Sequence, residues 1–183
     1  EARQYGFFSV CVNSSYVPLA SQLLKGTDVK VCTVVGFPLG AMSTQGKLYE
    51  TSTALTEGAD EIDMVINLGL FLSGRTAKVL DEIALLKQET ADKVLKVIIE
   101  TCYLNDDQKR LASQICVDAG ADFVKTSTGF GTGGATLADV QLIKEVVGDR
   151  AKIKASGGIR NRETALQYID LGVSRIGASA ILI

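Results

Sequence analysis

Apolar residues recur along this chain in two alternating rhythms. Short runs rich in β-branched residues occupy Ser9–Val12, Lys30–Phe37, Glu61–Asn67, Leu95–Thr101, Phe123–Thr128, Lys152–Gly158 and Ser174–Ser179. Their length and composition predict strands. Between them lie stripes of helical period: Leu48, Thr51, Ala54 and Leu55; Val79, Ile83 and Leu86; Leu111, Ile115 and Ala119; Leu137, Val140, Ile143 and Val147. Asn105 with Gln108, and Thr136 with Asp139, stand where N-terminal caps belong. Gly58, Gly120, Gly148 and Gly172 stand where left-handed residues would stop helices. The opening segment EARQYGF reads as the last turns of a helix, which implies a further unit upstream.

Strands alternating with helices at this pitch predict a parallel α/β architecture. A faint repeat supports it: GADEIDMV, GADFVK and GVSRIG each set a glycine just before a strand. A closed barrel has eight strands, one more than these seven. The expected fold is therefore a TIM (β/α)8 barrel, here lacking the first β/α unit and the last helix, in a single domain over 1–183. An open doubly wound sheet is the alternative that the same pattern permits.

Composition narrows the chemistry. At 46% hydrophobic and 22% charged residues the chain is neither disordered nor a membrane span. Nineteen basic against 21 acidic residues leave a formal charge of -2 without a long basic block, so neither nucleic acid nor membrane is an expected partner. Cys11, Cys32, Cys102 and Cys116 form no short-spaced metal motif; Cys11, Cys32 and Cys116 sit among apolar residues, and the set reads as reduced core thiols of a cytoplasmic protein, with a disulfide pair as the lesser alternative. Histidine is absent. That removes Ser-His-Asp and Cys-His catalysis and the common zinc sites. Acid–base work is left to Lys, Asp, Glu, Tyr, Cys or water.

Polar residues interrupt the apolar runs near strand C-termini, the end where barrel enzymes keep their chemistry. Lys125 lies between Val124 and Thr126, and alternation sets it on one face with Phe123 and Ser127. A buried amine sheds its proton more readily, and a neutral amine attacks carbonyls to form imines. Lys154 interrupts KIKASGG in the same way; a second ammonium favours a neutral neighbour and can shuttle a proton. Asp63, set among apolar neighbours, can balance a lysine or relay protons, and sequence leaves both open. Lys96 and Glu100 share a face and would extend a buried ionic network around Asp63, either as catalytic support or as structural pairing. Glu61 could join that face or lie at a solvated strand entrance. Cys11 ends the first strand near the site without a histidine to activate it.

A phosphate site is the expected second feature. Gly157, Gly158 and Arg160 follow one strand and precede a helix carrying Asn161 and Thr164, and Gly177 and Ser179 follow the last strand. Late barrel loops commonly bind phosphate through backbone N–H groups. The segment from Gly129 to Gly134 offers another glycine-rich loop, although it is not a P-loop.

Taken in order, SVCVN, VVGFPLG, GADEIDMVIN, KVIIET, FVKTSTGFGTGGAT, KASGGIR and RIGAS resemble the deoxyribose-phosphate aldolase family over essentially the whole chain. The resemblance implies a class I aldolase that reversibly cleaves 2-deoxy-D-ribose 5-phosphate to D-glyceraldehyde 3-phosphate and acetaldehyde. It implies no metal and no organic cofactor, a sugar-phosphate substrate and a cytoplasmic location, and it leaves self-association open. Lys125 matches the family's Schiff-base lysine, Lys154 its second catalytic lysine and Asp63 its proton-relay aspartate. Gly129, Gly157, Gly158, Arg160, Gly177 and Ser179 match its phosphate-binding positions, and Cys11 its site wall. The chain departs from the family pattern by lacking the initial DHTLLKP-like strand, the closing helix and a tail tyrosine. Ala180 also replaces a serine in the last motif. The alternatives to this reading are another sugar-phosphate barrel lyase or isomerase, and an inactive partial barrel.

Overall fold

A computed structural model describes residues 1–179. Seven strands form one sheet in chain order: β1 (Ser9–Val12), β2 (Lys30–Val35), β3 (Glu61–Val65), β4 (Val94–Ile98), β5 (Phe123–Lys125), β6 (Lys152–Ser156) and β7 (Arg175–Gly177). Every neighbouring pair is parallel. Helices α1 (Ala2–Tyr5), α2 (Val17–Leu24), α3 (Thr44–Thr56), α4 (Leu68–Leu72), α5 (Thr76–Thr90), α6 (Asp106–Asp118), α7 (Leu137–Val147) and α8 (Arg162–Asp170), with two 3-10 turns at Ser14–Tyr16 and Thr101–Tyr103, complete the order.

The sheet is strongly curled. Neighbouring strands lie about 4.8 Å apart, so β3 and β6 would be separated by roughly 14 Å in a flat sheet. Yet Lys154 of β6 meets Asp63 of β3 at 2.7 Å. Arg175 of β7 reaches Ser9 of β1, at the opposite edge, at 3.3 Å. The result is an open half-barrel with helices outside, an incomplete TIM barrel. Outward residues such as Ile62, Met64, Val97, Val124 and Ile153 pack with Val79, Ile83, Leu86, Val140 and Ile143 in one core. Each fully buried side chain of this kind contributes about 1.5–3 kcal/mol. Burial on both faces explains why the strands read as continuous apolar runs.

All seven expected strands are present, most of them shorter at the C-terminal end. Single bonds carry the pairing further, from Ile66 N to Ile98 O and from Thr126 N to Lys154 O. The chain then turns, because Gly36 and Gly157 adopt positive φ. The Asn105–Gln108 capping box is complete. Thr136 caps α7, but the Asp139 carboxylate turns instead to Lys109, at 2.7 Å. Helix α1 ends on a left-handed Gly6. Two helices were not expected. Only Val17 of α2 is buried, while Leu19 and Leu23 face outward, so no stripe marks it. Helix α4 has only five residues. Ala180, noted for its place in the last motif, lies outside the described residues.

The outer layer holds a feature that periodicity does not reveal. Lys47 of α3 is fully buried, 2.6 Å from Glu82 of α5, and also donates to Val65 O at 2.7 Å. Thr44 donates to the other Glu82 oxygen at 2.9 Å. A separate cavity of about 720 Å³ fills the seam between β7 and α8 on one side and α1 and β1 on the other. Its wall includes Tyr5, Phe7, Phe8, Leu166 and Ile169.

Candidate active site

The parallel register gathers charge inside the curl. Asp63 pairs with Lys96 across β3 and β4, and Lys125 with Lys154 across β5 and β6. The curl then brings the second pair onto the first. Asp63 Oδ2 accepts from Lys125 Nζ and from Lys154 Nζ, both at 2.7 Å. Asp63 Oδ1 accepts from Lys96 Nζ at 2.8 Å and from the Cys32 thiol at 3.2 Å. A deeper layer continues from Lys96 to Glu61 at 2.8 Å, and Arg175 grips Glu61 with two bonds at 3.0 and 3.2 Å. Among the described residues Lys96, Lys125, Lys154 and Arg175 thus face two carboxylates, Asp63 and Glu61.

This imbalance sets protonation. Burial pushes the Asp63 carboxyl up, but Lys125, Lys154 and Lys96 outweigh it and hold it well below the usual carboxylate range. Burial also works against the charged Lys154. Asp63, helped by Cys32 and Cys11, reverses that and raises Lys154 above the ordinary lysine value. Lys96 is raised for the same reason, with Asp63 and Cys32 overcoming burial.

A cavity of about 880 Å³ opens over these groups at the strand C-termini. Lys125, Lys154 and Cys11 line it. So do all six positions expected to bind phosphate: Gly129, Gly157, Gly158, Arg160, Gly177 and Ser179. Asp63 and Lys96 lie behind the lysines, with no exposed surface. The two glycine loops touch: a Cβ on Gly134 would fall 2.2 Å from Gly157 O. Only glycine permits that approach, and it holds the loop after β5 against the loop after β6. At the mouth Phe37 and Phe130 meet edge to face, with ring centroids 5.3 Å apart.

The sequence expectation for Glu100 is corrected. Its carboxylate does not join Asp63. It accepts from Thr128 N at 3.1 Å and from the Thr128 hydroxyl, and so ties down the loop carrying Gly129. Glu100 adopts a left-handed φ of 53°, which ends the alternation that β4 would need to aim it inward. Glu61 belongs to the buried network and not to a solvated entrance. Arg175 and Cys32 are site members that sequence reasoning missed. Arg175 shares a strand face with Gly177 by alternation, and that was the available signal. Cys32 gave none, since an apolar run with a thiol reads as ordinary core.

Cys11, Cys32 and Asp63 place three potential metal-ligating atoms within 4.8 Å of one another. The three ammonium groups on Asp63 compete directly with any cation there, so this donor set does not suit a metal.

Comparison with known proteins fits this geometry. Residues 1–182 match the sequence profile described as DeoC/LacD family aldolase. A deoxyribose-phosphate aldolase of Coprothermobacter proteolyticus is 59% identical over 180 residues, covering 98% of this chain and 82% of that protein. A solved structure described as QR15, an aldolase, superposes with a TM-score of 0.94 at 47% identity, covering 97% of this chain and 80% of that one. A tetrameric deoxyribose phosphate aldolase from Aeropyrum pernix superposes with a TM-score of 0.87 at 35% identity, over 97% of this chain and 76% of that one.

Proposed function

Because this chain belongs to the DeoC/LacD family of aldolases, we propose that Lys125 is the amine through which it works, with Lys154 and Asp63 as its proton handlers. The protein is a carbon–carbon lyase that cleaves 2-deoxy-D-ribose 5-phosphate reversibly to D-glyceraldehyde 3-phosphate and acetaldehyde. The observation that carries the assignment of residues is the sharing of one oxygen, Asp63 Oδ2, by two lysines at the base of the cavity.

Lys125 gives up a proton and attacks C1 of the open-chain sugar phosphate. The carbinolamine loses water to give an iminium, which serves as an electron sink. Loss of the C3 hydroxyl proton then breaks C2–C3 and releases D-glyceraldehyde 3-phosphate. Protonation of the remaining enamine at C2, followed by hydrolysis, frees acetaldehyde and Lys125. Lys154 stays charged through its contact with Asp63 and so is the acid at hand for the water-losing and protonating steps. As Lys125 leaves Asp63 Oδ2 for the substrate, Lys154 and Lys96 keep that carboxylate fixed. The phosphate end lies against Gly157, Gly158, Gly129, Gly177, Ser179 and Arg160, where backbone N–H groups and one guanidinium complement its charge. The excess of cations in the cluster favours an anionic substrate on approach.

Borohydride added with substrate or acetaldehyde should leave a stable adduct on Lys125, located by peptide mass analysis. An adduct at another lysine, or none, overturns the assignment.

We also propose that the protein self-associates. The tetrameric Aeropyrum pernix relative and the outward Leu19 and Leu23, four positions apart on α2, support this. Sedimentation of the protein against a Leu19→Lys, Leu23→Lys variant tests it. A cytoplasmic location fits four free thiols, and no helix among the described residues is long and apolar enough to cross a membrane.

A further inference from the structure

The catalytic scheme leaves two sulfur atoms without a task. Cys11 and Cys32 are direct partners in the β1–β2 register, so both side chains project to the same face. Parallel neighbours sit about 4.8 Å apart at Cα, inside the range of roughly 4.4–6.8 Å that a disulfide spans. Both sulfurs and the Asp63 carboxylate lie within 4.8 Å of one another. Their surroundings differ. Cys11 is exposed and lines the cavity, whereas Cys32 is fully buried. Cys32 donates to Asp63 Oδ1 at 3.2 Å and lies 3.5 Å from Lys96 Nζ.

We propose that Cys11 and Cys32 are a modification site, oxidised by a hydroperoxide to a disulfide that reversibly disables the aldolase centre. The inhibitory half of this proposal rests on the role given above to Asp63; the formation of the bond does not.

The asymmetry of the pair sets the order of events. A reagent entering the cavity meets Cys11 first. The Cys32 proton has two acceptors near it, Asp63 Oδ1 and the Cys11 sulfur. As donor to Cys11 it lowers that thiol to about 6, against opposition from burial and Asp63 and with help from Lys154 and Lys125. The Cys11 thiolate attacks one oxygen of hydrogen peroxide. The O–O bond breaks, hydroxide leaves and takes up a proton as water, and Cys11 becomes a sulfenic acid. Cys32 needs no access to solvent for the next step, because its target is the neighbouring sulfur. It loses its proton and attacks Cys11 Sγ, the S–O bond breaks, and a second water departs. Two thiols have then lost two electrons, and one peroxide has become two waters.

The bond removes the S–H that Cys32 donates to Asp63 and draws its sulfur towards β1. It thereby strips one of four donors from the carboxylate that Lys125 and Lys154 share. It also moves the Cys11 sulfur from the cavity wall towards β2. Cys102 and Cys116 provide an internal contrast. Cys102 lies in the loop region beside Glu100, and Cys116 is buried on α6, so neither has a cross-strand thiol partner in the described register.

The test treats the whole protein with hydrogen peroxide at neutral pH and reads mass and turnover separately. Intact mass should fall by two hydrogens, and a non-reducing digest should join the Cys11 peptide to the Cys32 peptide. Turnover should fall by at least roughly tenfold, the scale of one lost hydrogen bond to a charged group, and dithiothreitol should restore it. Cys11→Ser and Cys32→Ser proteins, each compared with its own untreated rate, should show no thiol-reversible loss, while Cys102→Ser should keep it. Oxygen adducts without the Cys11–Cys32 link, or a link through Cys102 or Cys116, overturn the site. A link that leaves turnover unchanged overturns the inhibition. Borohydride trapping on Lys125 in untreated protein judges the aldolase reading independently of all these outcomes.

Discussion

Two regions of this molecule bury lysine against carboxylate, and they do so for different ends. In the outer layer Lys47 meets Glu82 alone. Thr44 and Val65 O complete the bonding, and both side chains are closed off from solvent. Inside the curl, Lys125, Lys154 and Lys96 crowd one Asp63 beneath an open cavity. Their electrostatics diverge as well. Burial prevails over Glu82 and lowers Lys47, whereas Asp63 prevails over burial and raises Lys154 and Lys96. Burial of a lysine is therefore a poor mark of function by itself. An excess of lysine over carboxylate, in contact with a space that a substrate can enter, is the better one.

The sharpest break of this contrast is Lys125→Ala. It should lower turnover by about four orders of magnitude or more while changing the urea midpoint little, because Asp63 keeps Lys154 and Lys96. A comparable loss of turnover from Lys47→Met would erase the distinction. Lys154→Met should cost roughly 10²–10⁴ in turnover, the usual span of a general acid, with borohydride trapping on Lys125 slowed but not relocated.

The outer pair should respond in the opposite currency. Glu82→Ala leaves a buried ammonium unpaired and should destabilise by about 3–5 kcal/mol in urea unfolding, with turnover per folded molecule retained. The double change Lys47→Met, Glu82→Leu should recover most of that loss. Glu100→Gln belongs between the regions. Loosening Thr128 should lower kcat/KM about tenfold, mainly through KM, since the loop it ties down lines the cavity at the proposed phosphate end.

The smallest expected effect is a difference of sign with pH. Lys47 is lowered in the folded state, so stability should rise as pH climbs from that lowered value towards about 10.4, the unfolded lysine value. Lys154 is raised, so its contribution is whole below about 10.4 and lost only as pH climbs through its higher folded value. Urea midpoints measured across the alkaline range should lose their rise in Lys47→Met and keep it in Lys154→Met.

Sequence made the strands and the upper half of the site legible because parallel strands buried on both faces tolerate few polar residues. Lys125, Lys154 and Asp63 therefore stood out against apolar neighbours. Helices hide such exceptions. A lysine on α3 matches any solvated face, and nothing local marks Lys47 as buried. Arg175 was missed because its role depends on curvature, which brings β7 over β3, and Cys32 because a thiol in an apolar run reads as ordinary core. Glu100 was misread because alternation fails once a residue takes a left-handed φ. The glycine loops were found from position alone, yet the contact between Gly134 and Gly157 needed the fold.

The curl itself has a mechanical consequence. Among the described residues β1 and β7 are bound to each other by no ladder of backbone bonds; Arg175 instead reaches across to Ser9 and stacks on the Phe8 ring beside it. The bend is held from within, by Lys154 drawn to Asp63 and Arg175 drawn to Glu61, like a bow kept in shape by its string. The string and the chemistry share Asp63 and Lys154. At those two residues tension and chemistry cannot be tuned apart, and a change there that relaxes one will be felt in the other.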